Sequence, residues 1–455
     1  MTATRTFHTH DPRHGAIVAE FRMATPAVVA RACRTARKAQ AGWRQTPPAS
    51  RAFALGELAT ILHKRRNEFA AREARDTGKT VAVARQEIEA CAELWHYAAH
   101  LARDATATHL DAGTLQAYTV REPMSVVGMI VPWNYPLITT SERLPFALAA
   151  GCGVVLKPSE LAVGALPLLD ELLANCPHIP RGLVQTIYGD ARTGQALTTD
   201  PNVEMISFVG STATGRRVEA TATGCGKRVA AEMGGNNFML VYADADLDSA
   251  ADAAVAGAFR NAGQACIAAT HILVDPRAQE AFCAKLTEAL ARRYPLGKRQ
   301  IFQPMINPAH AERIERLIAA ARHEEGLALL SGSTPERQGN RIGPAVFINV
   351  PLDSILMRDE IFGPILTVTP LDPGQFVTAA NASGYGLAAY VWTTSAVTAR
   401  AAVAGLRAGR IWINADPEAW LPELPVGGFG KSGSGRELGP RALDTYTLTK
   451  SVLQG

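Results

Sequence analysis

Glu232 in AAEMGGNN and Cys266 in NAGQAC are the two residues whose types could divide a covalent reaction between them. A thiolate can attack a carbonyl carbon, and a nearby carboxylate can later activate water against the thioester that forms. One cysteine among seven is more often a small buried hydrophobe than a nucleophile, so the pair needs supporting groups. No Cys–His pairing is evident nearby, which argues against a cysteine protease.

Asn134 offers support. It sits in PWNYP, beyond the apolar run SVVGMIV and between the rigid Pro132 and Pro136, where its amide could donate to an oxyanion. A turn-capping asparagine would explain the same motif. Lys157 and Glu160 leave the run GVVLK together in KPSE and could hold ribose hydroxyls, or form a surface ion pair. Gly210, Ser211 and Gly215 in FVGSTATG open a helix whose free N–H groups could bind pyrophosphate. That stretch is neither GxGxxG nor a Walker loop, and ordinary N-capping by Ser211 or Thr212 would also account for it. Gly234 and Gly235 leave Glu232 room to swing, or simply turn the chain between two domains. EIFGP contributes Glu360, Phe362 and Gly363, and GGFGKSGSGRELG either covers a site or serves as a flexible connection.

The elements that would position these residues are readable from apolar spacing. The first hundred residues read as helix, with Thr25 and Pro26 as an N-cap and first-turn pair. LQAYTVREP alternates like one ribbon of an extended hairpin. Short apolar runs then alternate with amphipathic segments from SVVGMIV to KRVAAEM, and again from FMLVYAD to GRIWINAD. Such alternation predicts an α/β chain whose parallel sheets are covered on both faces, with ligands beyond the carboxyl ends of the strands. TYTLTKSVLQ reads as an added or oligomer-forming strand. There is no internal repeat and no low-complexity segment.

A 455-residue chain that is 47% hydrophobic and 19% charged suits a two- or three-domain globular enzyme rather than a disordered protein. Its formal net charge of +4 leaves no footprint for nucleic acid or an anionic membrane. No apolar run would span a bilayer and the start lacks the apolar core of a secretory signal, so a cytoplasmic location is expected. The cysteines contain no CxxC pair, and no metal site is expected. His8, His10 and His14 read as a frayed, solvated terminus.

In this order and spacing, PWNYP, KPSE, FVGSTATG, EMGG, GQAC, EIFGP and GGFGKSGSGRELG resemble the aldehyde dehydrogenase superfamily over roughly residues 10 to 450. The resemblance implies a modified Rossmann cofactor domain (1–103 and 124–234) and a second α/β catalytic domain (235–434). It also implies a small β oligomerisation element (104–123 and 441–455) that builds a homodimer or homotetramer. Cys266 becomes the nucleophile and Glu232 the general base, with Asn134 and the Cys266 N–H stabilising the oxyanion. Glu437, in GRELG, becomes a second carboxylate near the proton-exit route. Lys157 and Glu160 match the adenosine-ribose pair, Glu360 the nicotinamide-ribose partner, Phe362 a wall beside the nicotinamide, and Trp133 and Ser211 pyrophosphate contacts. The expected reaction oxidises a small-molecule aldehyde to its acid through a thioester. NAD is favoured over NADP because Glu160 would repel a 2′-phosphate.

Three departures accompany the resemblance. The family's NP-x-x-G element is here DPRHG, so the usual amino-terminal strands look short or missing. Asn236 and Asn237 stand where many members carry a lysine and a serine, and RRYPLGKRQIFQPMINPAH is shorter and less regular than usual. Matching tunnel positions are Tyr135, Glu142, Trp420, Ala265 and Ile267, with Glu142 where many relatives place a tryptophan. An acidic group with two aromatics suits an amino- or ammonium-bearing aldehyde, and WLPELPVGGFGKSGSGRELG is similar to betaine-aldehyde and aminoaldehyde dehydrogenases. EMGGNN instead resembles semialdehyde dehydrogenases of amino-acid catabolism. Pairing of Glu142 with Arg143 would take it out of substrate recognition. A CoA-acylating enzyme and a non-catalytic relative are the rival functions.

Overall fold

Five strands pair in parallel in the order Val184–Thr186, Gly153–Lys157, Val126–Ile130, Met205–Val209 and Arg228–Glu232. The three central ones are buried along nearly their whole length, as strands covered on both faces must be. Val127, Met129, Val154 and Leu156 enter one core, while Val126, Val155, Ile206 and Phe208 enter the core on the opposite face. These features come from a computed structural model that describes residues 5–103, 108–112, 115–295 and 302–454.

Among the described residues a second sheet has seven strands, in the order Ala328–Leu329, Ala345–Ile348, Ile365–Pro370, His271–Val274, Phe238–Val241, Ala388–Trp392 and Arg410–Ile413. All its pairings are parallel except the first. The α/β class read from the sequence is the observed one. A three-stranded antiparallel sheet joins Thr447–Gln454, Leu115–Pro123 and Thr108–Ala112, so the tail pairs with the ribbon LQAYTVREP within the same chain.

Two expectations need correction at the amino terminus. Helix begins only at Pro26–Trp43, where Thr25 accepts from Val28 N as foreseen. Before it, Thr6–His10 pairs antiparallel with Ile17–Arg22 around the DPRHG turn. His8 is therefore part of a hairpin, 3.7 Å from Glu20, and not a frayed end. Residues 104–107, at the expected start of the oligomerisation element, and 296–301, within the irregular RRYPLGKRQIF stretch, lie outside the described residues.

Side chains from the first helices fix the short helix Leu144–Ala150. Trp43 Nε1 donates to Leu148 O at 2.9 Å, Arg51 Nε to Ala149 O at 3.0 Å, and Gln40 Nε2 to Gly151 O at 3.0 Å. These bonds satisfy carbonyls that a helix end cannot pair for itself. Glu73 and Asp76 similarly accept from the backbone N–H groups of Val163, Gly164 and Ala165 at 2.7 Å, anchoring the loop that follows KPSE.

The glycine-rich carboxyl-terminal run is not a flexible connection. Ser434 N and Gly435 N donate to Ala231 O, and Met233 N donates to Ser432 O, so the run lies along the outer edge of strand Arg228–Glu232. Gly433 has φ +109°, and a Cβ there would fall 2.1 Å from Ala231 O. Only glycine fits. Phe146 is fully buried in the helix Leu144–Ala150. Phe146→Ala should cost about 3–5 kcal/mol by transfer plus cavity, read as a lowered urea midpoint at unchanged m-value.

Candidate active site

The cysteine loop is built under strain and then held in place. Helix Leu247–Phe259 ends in a turn where Asn261, Ala262 and Gly263 take φ of +50°, +55° and +73°. Left-handed backbone at the two non-glycine positions costs on the order of 1–3 kcal/mol each, so the surroundings must over-determine it. Gln264 does much of this. Its amide donates to Asn261 O and Pro304 O and accepts from Ile306 N. Asn237 Nδ2 donates to Cys266 O at 2.8 Å and Ala268 O at 2.9 Å, and the Tyr390 hydroxyl donates to Ile267 O at 2.6 Å.

Asn237, unusual in the sequence, thus becomes a support of the cysteine loop, and its neighbour Asn236 is tied elsewhere. Asn236 Nδ2 donates to Met357 O, and its Oδ1 meets the ring of His271, whose pKa burial pushes down to about 3. The paired glycines are needed for approach more than for swing. A Cβ on Gly235 would lie 2.3 Å from Cys266 O, and one on Gly234 would lie 2.2 Å from the Glu360 carboxylate.

Cys266 Sγ lies 3.9 Å from Glu232 Oε1. Burial, with the carboxylates of Glu232, Glu360 and Glu142, holds the thiol well above its ordinary pKa, while Arg143 pulls it down. Glu232 ends its strand buried, and its Oε2 accepts from Arg143 Nη2 at 2.6 Å. Sequence reasoning gave Arg143 no role beyond an ion pair with Glu142. The sole signal was a charge set directly before the apolar helix LPFALAA, and its partner Glu232 lies 89 residues away.

The same guanidinium reaches Glu142 Oε2 at 3.0 Å, Thr139 O at 2.9 Å and Glu437 Oε1 at 3.8 Å. Glu437 also accepts from the Tyr446 hydroxyl at 2.8 Å. Burial pushes the Glu437 pKa up to about 7 and raises that of Glu142, in both cases against the pull of Arg143. Asn134, just beyond strand Val126–Ile130, donates one amide N–H to Gln264 O at 3.0 Å. Among the described residues its second N–H has no partner.

The cofactor candidates gather at the carboxyl end of the first sheet. The buried Lys157 ammonium donates to Pro158 O at 3.0 Å and Glu160 Oε2 at 3.2 Å, which leaves a third N–H without a partner among the described residues. Ser211 caps the helix Thr212–Gly224, accepting from Thr214 N, and Gly210 N donates to Glu232 O. Gly215 lets that helix sit on Met233, which a Cβ would meet at 2.7 Å. Glu360 Oε1 accepts from Gly235 N at 3.0 Å. Phe362 takes φ +52°, and its ring meets the Trp133 ring edge-on at 5.6 Å. His310, overlooked in the sequence, bonds Phe362 O at 2.8 Å.

The tunnel candidates are less free than their types suggest. Glu142 is bonded to Arg143, and the Lys79 ammonium lies 3.8 Å from the centroid of the Tyr135 ring. Trp420 packs half-buried against the core of the first sheet. Ala265 is buried and Ile267 half-buried, on either side of Cys266. Arg260 and Arg410, which the sequence reading passed over, are half-buried; the Arg260 charge is felt at Tyr135 and that of Arg410 at Glu142.

The sequence model of the Aldehyde dehydrogenase family matches residues 1–452. The chain belongs to that family. A betaine aldehyde dehydrogenase of Cereibacter sphaeroides is 36% identical over 98% of this chain and 92% of its own length. The crystal structure of an NAD-dependent aldehyde dehydrogenase from Sinorhizobium meliloti superposes with TM-score 0.94 and 38% identity, covering 99% of this chain and 91% of that one. An aldehyde dehydrogenase from Bacillus cereus, solved as its NAD+ complex, has TM-score 0.93 and 32% identity, with 99% and 93% covered. The enzyme is an NAD-dependent oxidoreductase that acts on an aldehyde, and the spare donor of Lys157 fits that cofactor. No helix among the described residues is long and apolar enough to cross a membrane, and no group of metal-ligating side chains is found among them.

Gly235→Ala would push directly on the carbonyl of Cys266. A displacement near 1 Å at Cys266 should lower kcat/KM on the order of 100-fold, with far-UV dichroism unchanged.

Proposed function

We propose that the enzyme oxidises its aldehyde through covalent attachment to Cys266, and the observation that carries this is the 3.9 Å approach of Cys266 Sγ to the buried Glu232 carboxylate. The thiolate adds to the carbonyl carbon, and the free N–H of Asn134 with the Cys266 backbone N–H stabilises the resulting oxyanion. Bound NAD supplies the hydride acceptor. Glu232 then takes a proton from water, whose oxygen attacks the thioester and releases the acid. A carboxylate kept beside the sulfur favours hydrolysis over transfer to CoA. The exposed Val120, Leu448 and Leu453 of the three-stranded sheet support a homodimer or homotetramer built there.

For the substrate we infer an ammonium-bearing aldehyde, supported by the betaine aldehyde dehydrogenases among the relatives. A semialdehyde is the second reading, favoured by the half-buried Arg260, which lines a cavity of about 170 Å³ with Arg293 and Gln303 beside Asn261. Initial rates with betaine aldehyde, 4-aminobutyraldehyde, succinic semialdehyde and aliphatic aldehydes separate the two. A preference for succinic semialdehyde would refute the ammonium reading, and Arg260→Ala should then raise KM for it selectively.

Cys266→Ala should form no NADH with any of these aldehydes, and turnover by that variant would refute the mechanism. Because the thiol is held well above its ordinary pKa, its thiolate fraction grows as pH rises. Iodoacetamide alkylation of Cys266 should therefore accelerate about tenfold per pH unit between pH 7 and 9, without a plateau. A plateau below pH 8 would show a thiol already ionised.

A further inference from the structure

Arg143 is 1% exposed and lies among three carboxylates contributed by distant parts of the chain. A buried ion is seldom the most stable filling for such a space, since apolar residues of similar volume often do as well. Stability alone therefore does not account for this arginine. Its Nε is buried with no hydrogen-bond partner among the described residues, and Glu437 Oε1 stands 3.8 Å from it. The guanidinium has one donor on Glu232 and a spare one facing Glu437.

We propose that Arg143 is a positioning residue for the deacylation half: its guanidinium parks the Glu232 carboxylate beside the thiol, and Glu142 and Glu437 set how firmly by drawing on the same charge. This rests on the roles of Cys266 and Glu232 given above. During acylation the Glu232 carboxylate rests against Arg143. During deacylation it takes one proton from water as the water oxygen bonds the thioester carbonyl carbon. The carbon–sulfur bond then breaks, its electron pair leaves with Sγ, and the proton passes from Glu232 toward solvent. Arg143 transfers no proton. Burial opposes its charge, but the carboxylates of Glu232, Glu437 and Glu142 outweigh that and strengthen its hold. As Glu232 moves off, Nε closes on Glu437 and the cation is not left alone.

The charged and titratable groups that face Glu232 come from every element around it. Arg143 and Glu142 come from the turn before Leu144–Ala150, and Cys266 from its loop. Arg410 comes from its strand, and Glu437, which binds Tyr446, from the glycine-rich run. Removing the cation makes the base harder to ionise. Removing the competing charge of Glu142 gives Glu232 a larger share of the cation and makes it easier. Glu142 thereby serves the base and not the recognition of substrate charge.

The experiment compares wild type, Arg143→Gln, Arg143→Lys and Glu142→Gln with NAD and a neutral aliphatic aldehyde. In Arg143→Gln, kcat should fall about tenfold or more, as for a misplaced general base, while single-turnover NADH formation stays within about twofold and acyl-Cys266 accumulates by mass spectrometry. The acid limb of the kcat profile should move up in pH in Arg143→Gln and down in Glu142→Gln, with Arg143→Lys close to wild type. Opposite shifts are something a merely structural arginine would not produce. Equal losses in kcat and single-turnover rate would overturn the proposal, and so would an acid limb unmoved in Glu142→Gln, whether or not Arg143→Gln folds. NADH production by Cys266→Ala would instead remove the mechanism beneath it.

Discussion

Three carboxylates, Glu142, Glu232 and Glu437, converge on the single guanidinium of Arg143 in the protein interior, and one positive charge cannot fully compensate three negative ones. Desolvation of each unpaired ion would cost several kcal/mol, so the cluster must share its protons. The raised proton affinities of Glu142 and Glu437 are the expected response. Glu232, with the shortest contact to Arg143, is the member best compensated. The site's electrostatics follow from that imbalance.

Much of the surrounding architecture serves to bring these four residues together. Trp43, Arg51 and Gln40 hold the end of the helix that begins just after Arg143. The glycine-rich run binds the backbone of Ala231 and Met233, the residues flanking Glu232, and carries Glu437 inward with it. Facing them, the cysteine loop keeps an uphill backbone at Asn261 and Ala262 because Gln264, Asn237 and Tyr390 bond it from three sides. Held in this way, Sγ stays beside Glu232, at the carboxyl edge of the first sheet.

Glu142 shows how a side chain's type can mislead when its neighbour is ignored. An acid and aromatics along a tunnel suggest a site for a cation. In the folded chain the acid is bonded to Arg143, and one aromatic ring, Tyr135, already carries the buried Lys79 ammonium. Glu142 and the Tyr135 ring are therefore already engaged within the protein, and the ammonium reading rests on the relatives alone. Arg260 and Arg410 instead place positive charge near the same residues.

The α/β class and the strand–helix alternation beyond the first hundred residues were legible in the sequence, because apolar periodicity and turn chemistry are local properties. The amino-terminal hairpin was misread: its strands Thr6–His10 and Ile17–Arg22 are short and partly exposed, so they lack a clear apolar rhythm. Arg143 was passed over because its importance depends on carboxylates that only folding brings within 4 Å of it. Asn236 and Asn237 looked like departures until their bonds to the cysteine loop and to Met357 gave them a purpose. The sequence by itself determined which groups could react and which sheets would carry them. Tertiary structure alone decided which charges compensate one another, because in a buried site that depends on distance through the fold and not on separation along the chain.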